Sequence, residues 1–257
     1  MKYQWSWTSF NEMSPDGVHT YLQTIVIGAG WTLSLAICAY LFSLLLGSVL
    51  GVMRTVESPR ARIAGATYVE LFRNIPLLVQ MFLWYFVVPE LLPKALGTAI
   101  KQMQQPWAQF APALLCLGFY GSARVAETLR SGIRSLDAGQ RHAGTALGLT
   151  QVQVYRYVIL PQAFRIVIPP LTSEFMATIK YSSVAMTIGL LELTGAARSM
   201  QEFSFHIFEA FSAATIVYLL INTIIVCALA AVEKRVAISA FVAPKTQIAS
   251  TLLEVEH

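Results

Sequence analysis

The residues of this chain best placed to do chemistry are charges set inside apolar sequence. Glu70 and Arg73 stand three apart near the start of one long hydrophobic run. Glu174 and Lys180 stand six apart in another, with Ser183 just beyond. An ionised side chain within a membrane is costly and survives where it faces a bundle interior, a partner charge or a water-filled route. Three-apart spacing puts Glu70 and Arg73 on one helix face, where they either neutralise one another or leave Arg73 to meet an anion. Lys180 is open in the same way: it pairs elsewhere in the bundle or faces a wet path. Arg124 and Glu127, again three apart, read as an interface pair. Pro76 and Pro169–Pro170 remove backbone hydrogen bonds inside such runs, and freed carbonyls are tolerated where they line a cavity or are covered by protein. Each proline site is therefore either a pathway wall or a passive kink. Glu70, Arg73, Pro76, Glu174, Lys180 and Ser183 are the candidates for a substrate pathway.

Little else suggests catalysis. His19, His142, His206 and His257 show no zinc spacing, so no metal site is expected. Cys38, Cys116 and Cys227 stand singly in apolar runs, which argues against a thiolate cluster or a disulfide framework. Gly28 and Gly30 lack the third glycine of a dinucleotide fingerprint, and no phosphate loop ends in Gly-Lys-Ser or Gly-Lys-Thr. Ser122 after Gly121 has no histidine in any apolar span to activate it, as a serine nucleophile requires. The chain reads as a non-enzyme that binds no cofactor of its own. Any energised work must draw on another chain or on an ion gradient.

The elements that would hold these charges are membrane helices. Of 257 residues, 56% are hydrophobic and 12% charged, and the mean hydropathy is +0.58. Soluble domains are nearer 25% charged. The expected fold class is therefore an all-α polytopic membrane protein. Five spans are expected, at about 24–53, 64–92, 106–126, 163–191 and 211–232, the fourth kinked or broken at Pro169–Pro170. There is no sign of a cleavable signal peptide or of an internal repeat. The formal net charge of +4 reflects cytoplasmic Lys/Arg rather than nucleic-acid binding. With five spans, Arg54, Arg60, Arg62, Arg130, Arg134, Arg141, Arg156, Arg165, Lys234, Arg235 and Lys245 share one side, against Lys2, Lys94, Lys101 and Arg198 on the other. The richer side is cytoplasmic, so the N-terminus is expected outside and the C-terminus inside.

The segment 127–165 is the long cytoplasmic loop of this layout. Asp137 and Gln140 have capping-box spacing for a helix over 138–147, ended by Gly148. Thr150 and Gln153 repeat the spacing for a second helix that should stop before Pro161. Ala143, Ala146 and Leu147 line one face of the first helix, with Gly139 and Gly144 beside them. A helix this short is marginal alone and needs a docking surface, either lipid headgroups or a groove in a partner.

The loop residues Gly139-Gln140, Ala143, Ala146-Leu147-Gly148-Leu149-Thr150 and Tyr155 through Ala163 resemble the EAA loop of ABC importer permeases. Glu70 through Gln80 resembles the second-helix motif of the polar amino acid branch. Ser173-Glu174-Phe175, Ile179-Lys180 and Thr187-Ile188-Gly189 resemble its fourth-helix region. Pro89 through Pro93, Pro169 through Glu174 and Glu233-Lys234-Arg235 are most similar to the glutamate/aspartate import permeases. The likeness covers residues 21–235.

The resemblance implies a type I ABC importer permease domain at 22–235, a periplasmic segment at 1–21 and a cytoplasmic tail at 236–257, in a multi-pass protein of the cell inner membrane. It implies a polar, acidic amino acid as substrate. It implies four kinds of neighbour: a periplasmic binding protein, a second permease subunit that is identical or related, two ATP-binding subunits holding ATP and Mg, and membrane lipid. The ATPase-coupling loop would comprise Gly139, Gln140, His142, Ala143, Gly144, Ala146, Leu147, Gly148 and Leu149. Where the family reads Glu-Ala-Ala this chain has His142-Ala143-Gly144, so a loop glutamate contact does not carry over; His142 either hydrogen-bonds in its place or is solvated. The reading from a different class is an ion-gradient-driven secondary amino acid transporter.

Overall fold

A computed structural model describes residue 3 and residues 5–236. The tail expected from 236 onward, with Lys245 and His257, lies outside the described residues apart from Val236, and so does Lys2. Among the described residues the chain is helical, with one isolated β-bridge between Met13 and Thr20.

Helix α1 (Tyr21–Met53) opens on a capping box: Thr20 accepts from the Gln23 N–H while the Gln23 side chain takes the Thr20 N–H. Helix α2 (Pro59–Asn74) leads to a short run of α3 (Leu77–Phe82), a π turn (Leu83–Val87) and α4 (Val88–Leu91), followed by α5 (Lys94–Lys101). Helix α6 (Trp107–Arg134) is the central rod. Helices α7 (Ala138–Ala146) and α8 (Gln151–Val154) make the loop, and a π turn (Tyr155–Ile159) joins α8 to α9 (Leu160–Tyr181). After α9 the chain tightens to a 3-10 turn (Ser182–Ile188), then forms α10 (Leu193–Ser204) and α11 (Ile207–Val236).

α1 and α6 pack along most of their lengths because small residues let the backbones approach. A Cβ on Gly47 would lie 2.7 Å from the Ser122 carbonyl oxygen. The buried Ser43 hydroxyl donates to the Ala39 and Gly118 carbonyls (2.8 and 3.0 Å). Around this seam Leu35, Ala39, Met81, Phe110, Ala113, Cys116 and Leu117 form the main core, closed by Ala185, Ile188 and Leu190.

Among the described residues two helical stretches are long and apolar enough to cross a membrane by themselves, α1 and Ile207–Ala231 of α11; the bent pair of Pro59–Asn74 and Leu77–Leu91 makes a third if it is one span. α6 and α9, at 28 and 22 residues, have the length but carry charges, of which Arg124 binds Glu174 across the two helices and Glu127 binds Arg130 within α6.

The second span departs from expectation. It is not one rod but two segments at 100°. Proline disfavours the helical conformation in the residue before it, and Ile75 is extended here (φ −91, ψ 128). The fourth span departs in the other direction. α9 runs unbroken through Pro169 and Pro170, and the change of helix type comes at Ser182, ending at Gly189 with φ +86. α10, between the fourth and fifth spans, was not anticipated.

Candidate functional site

The loop is built largely as its sequence predicts, with two differences. Asp137 caps α7 through the Gly139 N–H (2.8 Å) rather than through a box with Gln140. Gly148 is left-handed, φ +80, and turns the chain toward α8. There Thr150 and Gln153 form their full capping box. The second loop helix, however, does not stop before Pro161. Pro161 occupies the first turn of α9, where its missing N–H is tolerated, so α8, the π turn and α9 succeed one another without a gap.

α7 has one anchored and one open face. Gly144 is buried, and a Cβ there would lie 2.9 Å from Val154 Cγ2, so its small size serves packing within the loop rather than an incoming surface. Gly139, Gln140, His142, Ala143, Ala146, Leu147 and Gly148 are exposed, and Leu149 is half-buried. Leu147 is 82% exposed. Beneath the loop, Val154, Ile159, Ala163 and Val167 pack on Leu129 and Ile133 of α6. The Tyr155 hydroxyl donates to the Thr55 carbonyl at the foot of α1 (2.7 Å), and the Arg141 guanidinium sits 5.6 Å from the Tyr155 ring centre.

The charges pair otherwise than their sequence spacing suggests. Glu70 and Arg73 do not bind each other: Glu70 accepts from Asn74 (3.3 Å), and Arg73 lies 3.9 Å from Glu127. Arg124 and Glu127 do not pair either. Arg124 grips Glu174 across the α6–α9 contact, while Glu127 binds Arg54 (2.5 Å) and Arg130. The reason is geometric. For Arg124 and Arg73 a carboxylate on another helix offers the closer approach, whereas Glu127 keeps its own three-apart neighbour Arg130 and Glu70 its four-apart neighbour Asn74. Lys180 is exposed and Ser183 half-buried, its hydroxyl donating to the Lys180 carbonyl (2.7 Å).

The carbonyls near Pro76 are covered by protein. Gln80, buried at the break, donates from Nε2 to the carbonyls of Phe72 and Ile75, both at 2.8 Å, so the carbonyls near the proline are satisfied within the protein. Pro170, by contrast, borders a groove of about 420 Å³ with Glu127, Ser131 and Gly132.

Two buried carboxylates escaped the sequence reading. Glu192, wholly buried, caps α10 through the N–H groups of Thr194 and Gly195 and accepts from the hydroxyls of Thr32 and Tyr218. Glu209 accepts from the Tyr3 hydroxyl and the Ser6 N–H, tying the N-terminal segment to α11. The available signal for Glu192 was an acid between Leu190-Leu191 and Leu193 in a chain poor in charge.

A bundle of long apolar helices with a short helix pair fused to one of its rods has the architecture of the membrane subunit of a transporter. The family described as the binding-protein-dependent transport system inner membrane component matches residues 20–238. The chain belongs to that family: it is an ABC amino acid importer permease of the inner membrane, without enzymatic activity itself, the ATPase lying in partner subunits. It is 44% identical over 237 residues to the glutamate/aspartate import permease protein GltJ of Escherichia coli (strain K12), covering 92% of this chain and 96% of that protein. It is 34% identical to the probable amino-acid ABC transporter permease protein PatM of Vibrio harveyi, over 74% of this chain and 81% of that one. The glutamine transport system permease protein GlnP of E. coli K12 is 30% identical, over 83% and 93%. Among solved structures, an amino acid ABC transporter superposes with a TM-score of 0.70 at 30% identity, over 84% of this chain and 95% of that one. The MetNI methionine transporter gives 0.71 at 18% identity, over 88% and 100%, a likeness of fold alone.

Proposed function

We propose that this permease carries acidic amino acids, glutamate and aspartate, inward across the membrane. The observation that carries the reading is the 44% identity to a glutamate/aspartate import permease over nearly the whole of both chains. A binding protein delivers the amino acid from the N-terminal side of the membrane, and a second permease subunit completes the path. Two ATP-binding subunits, holding ATP and Mg, each grip one copy of the loop. The permease domain spans 22–235, between an outer segment at 1–21 and an inner tail at 236–257.

The open face of α7, from Gly139 to Leu149, is the coupling surface. Its support is the anchored underside at Gly144 and Val154 and the continuity of α8 with α9. A pull on α7 reaches α9 as rigid-body motion between two discrete states. Glu174, Lys180 and Ser183 on the α9 side, and Glu70 and Arg73 on α2 with Pro76 at the break that follows it, border the route.

Reconstitution with cognate ATPase, binding protein and permease partner tests this. ATP-dependent uptake of glutamate and aspartate in preference to glutamine is expected. Uptake by the chain alone under an ion gradient would sink it, since that is the behaviour of a secondary transporter.

A further inference from the structure

An aromatic surface covers the end of the bundle where the N-terminal segment meets α11. Trp5 and Trp7 stack, with 5.6 Å between ring centres and 9° between planes. Phe208 lies 5.8 Å from Trp5 and 4.6 Å from Tyr3. All four rings are exposed, as are Phe203 and Phe205 where α10 turns into α11. The other side of the segment is fastened to the protein. Ser9 is buried, Phe10 packs on the cluster of Tyr21 and Ile25, and Glu209 holds the Tyr3 hydroxyl and the Ser6 N–H (2.7 Å). The segment is therefore two-sided, with its tryptophans turned away from the bundle.

Phe205 adds an independent observation. Its backbone is left-handed, φ +61, and its side chain is 80% exposed. Glycine would hold that turn without strain. The turn itself does not call for a large ring, and the ring gains little from this chain, so its contact lies outside the chain.

The level of the surface identifies that contact. Ile207–Ala231 of α11 is a membrane-crossing stretch of 25 residues. At 1.5 Å per residue it reaches about 37 Å, against about 30 Å of hydrocarbon, so its ends enter the headgroup layers. Phe208 is its second residue, and the rings that touch Phe208 share that level. Phe208 also continues the exposed apolar face of α11, which carries Phe211, Leu219 and Val226 at helical spacing. The aromatic surface is thus the upper edge of a lipid-facing stripe.

We propose that Tyr3, Trp5, Trp7, Phe203, Phe205 and Phe208 form a lipid-docking surface that seats in the phospholipid headgroup layer on the N-terminal side of the membrane. Tryptophan and tyrosine suit that layer because a ring enters the acyl boundary while its N–H or O–H meets polar headgroup atoms. The segment before α1 then lies on the bilayer as an interfacial anchor, bound to α11 through Glu209, rather than standing free in water.

The test uses the assembled importer in nanodiscs. In a background with Cys38, Cys116 and Cys227 replaced by Ala, a bimane is attached at Thr8→Cys or at Phe205→Cys. Lipids carrying a nitroxide on the headgroup or at the top of the acyl chain should quench either label about threefold more than lipids labelled at the chain end. Trp5→Ser with Trp7→Ser should remove most of that quenching at residue 8; the two label profiles decide the matter even if this variant does not assemble. Labels quenched by aqueous iodide and by no lipid are free in water, which overturns the proposal. Labels shielded from iodide but untouched by lipid nitroxides are covered by a protein, the binding protein or the second permease, which also overturns it. Stronger quenching from the chain end would place the surface below the headgroups and overturn it too.

Discussion

The Arg124 guanidinium grips Glu174 through two nitrogens, Nε to Oε2 at 2.6 Å and Nη2 to Oε1 at 3.0 Å. This fork clamps α6 to α9, the two helices that flank the loop. Breaking one side should cost about 1.5–3 kcal/mol, the range for hydrogen bonds to charged groups. Glu174→Gln and Arg124→Met should each lower the unfolding temperature in detergent and reduce amino acid uptake per ATP hydrolysed. The exchange Arg124→Glu with Glu174→Arg should recover part of both losses. Identical uptake and stability in the single variants would show that the clamp is idle.

Gly148 turns α7 toward α8 in a conformation that L side chains rarely adopt, with φ +80. A β-branched residue there is strained whatever space surrounds it. Gly148→Val should shift the register between the two loop helices and uncouple ATP hydrolysis from uptake, or prevent co-purification with the ATP-binding subunit. Wild-type coupling in that variant would remove the loop from the mechanism.

Glu192 is ringed by donors only: two hydroxyls and two backbone N–H groups. Glu192→Gln points an amide NH2 at some of them, and Glu192→Ala leaves several unsatisfied. An unpaired buried polar group costs about 1–3 kcal/mol. Both variants should unfold at lower temperature in detergent, Ala more than Gln. The damage should be felt where Thr32 of α1 and Tyr218 of α11 meet α10, and loosening of that junction is measurable by hydrogen exchange.

The turn before α1 is sensitive to acid. The His19 N–H, the Val18 N–H and the His19 ring hold the Asp16 carboxyl down to about 2 from its usual 3.8. A lowered folded pKa means that the stabilisation is complete above about pH 4 and is lost as pH falls through about 2. The protection of the Val18 and His19 amides relative to free peptide should fall over that window. Asp16→Ala should show low protection at every pH, and a wild-type protection profile flat from pH 5 to 2 would contradict the assignment.

Much of this protein is written locally. Charge-free apolar runs demand α1 and α11, because no other structure satisfies a backbone in lipid. The paired Thr150–Gln153 spacing and Gly148 determine the loop turn through bonds made within a few residues. Those features depend on neighbours in sequence and need no knowledge of the fold. The choice of partners does not. Glu127 binds Arg54 rather than Arg124, Gln80 bonds the carbonyls of Phe72 and Ile75, and Gly144 is closed by Val154. Each is settled by which helix faces come together, a matter of packing across long stretches of chain. For the same reason Pro76 breaks its span while Pro169 and Pro170 leave α9 intact.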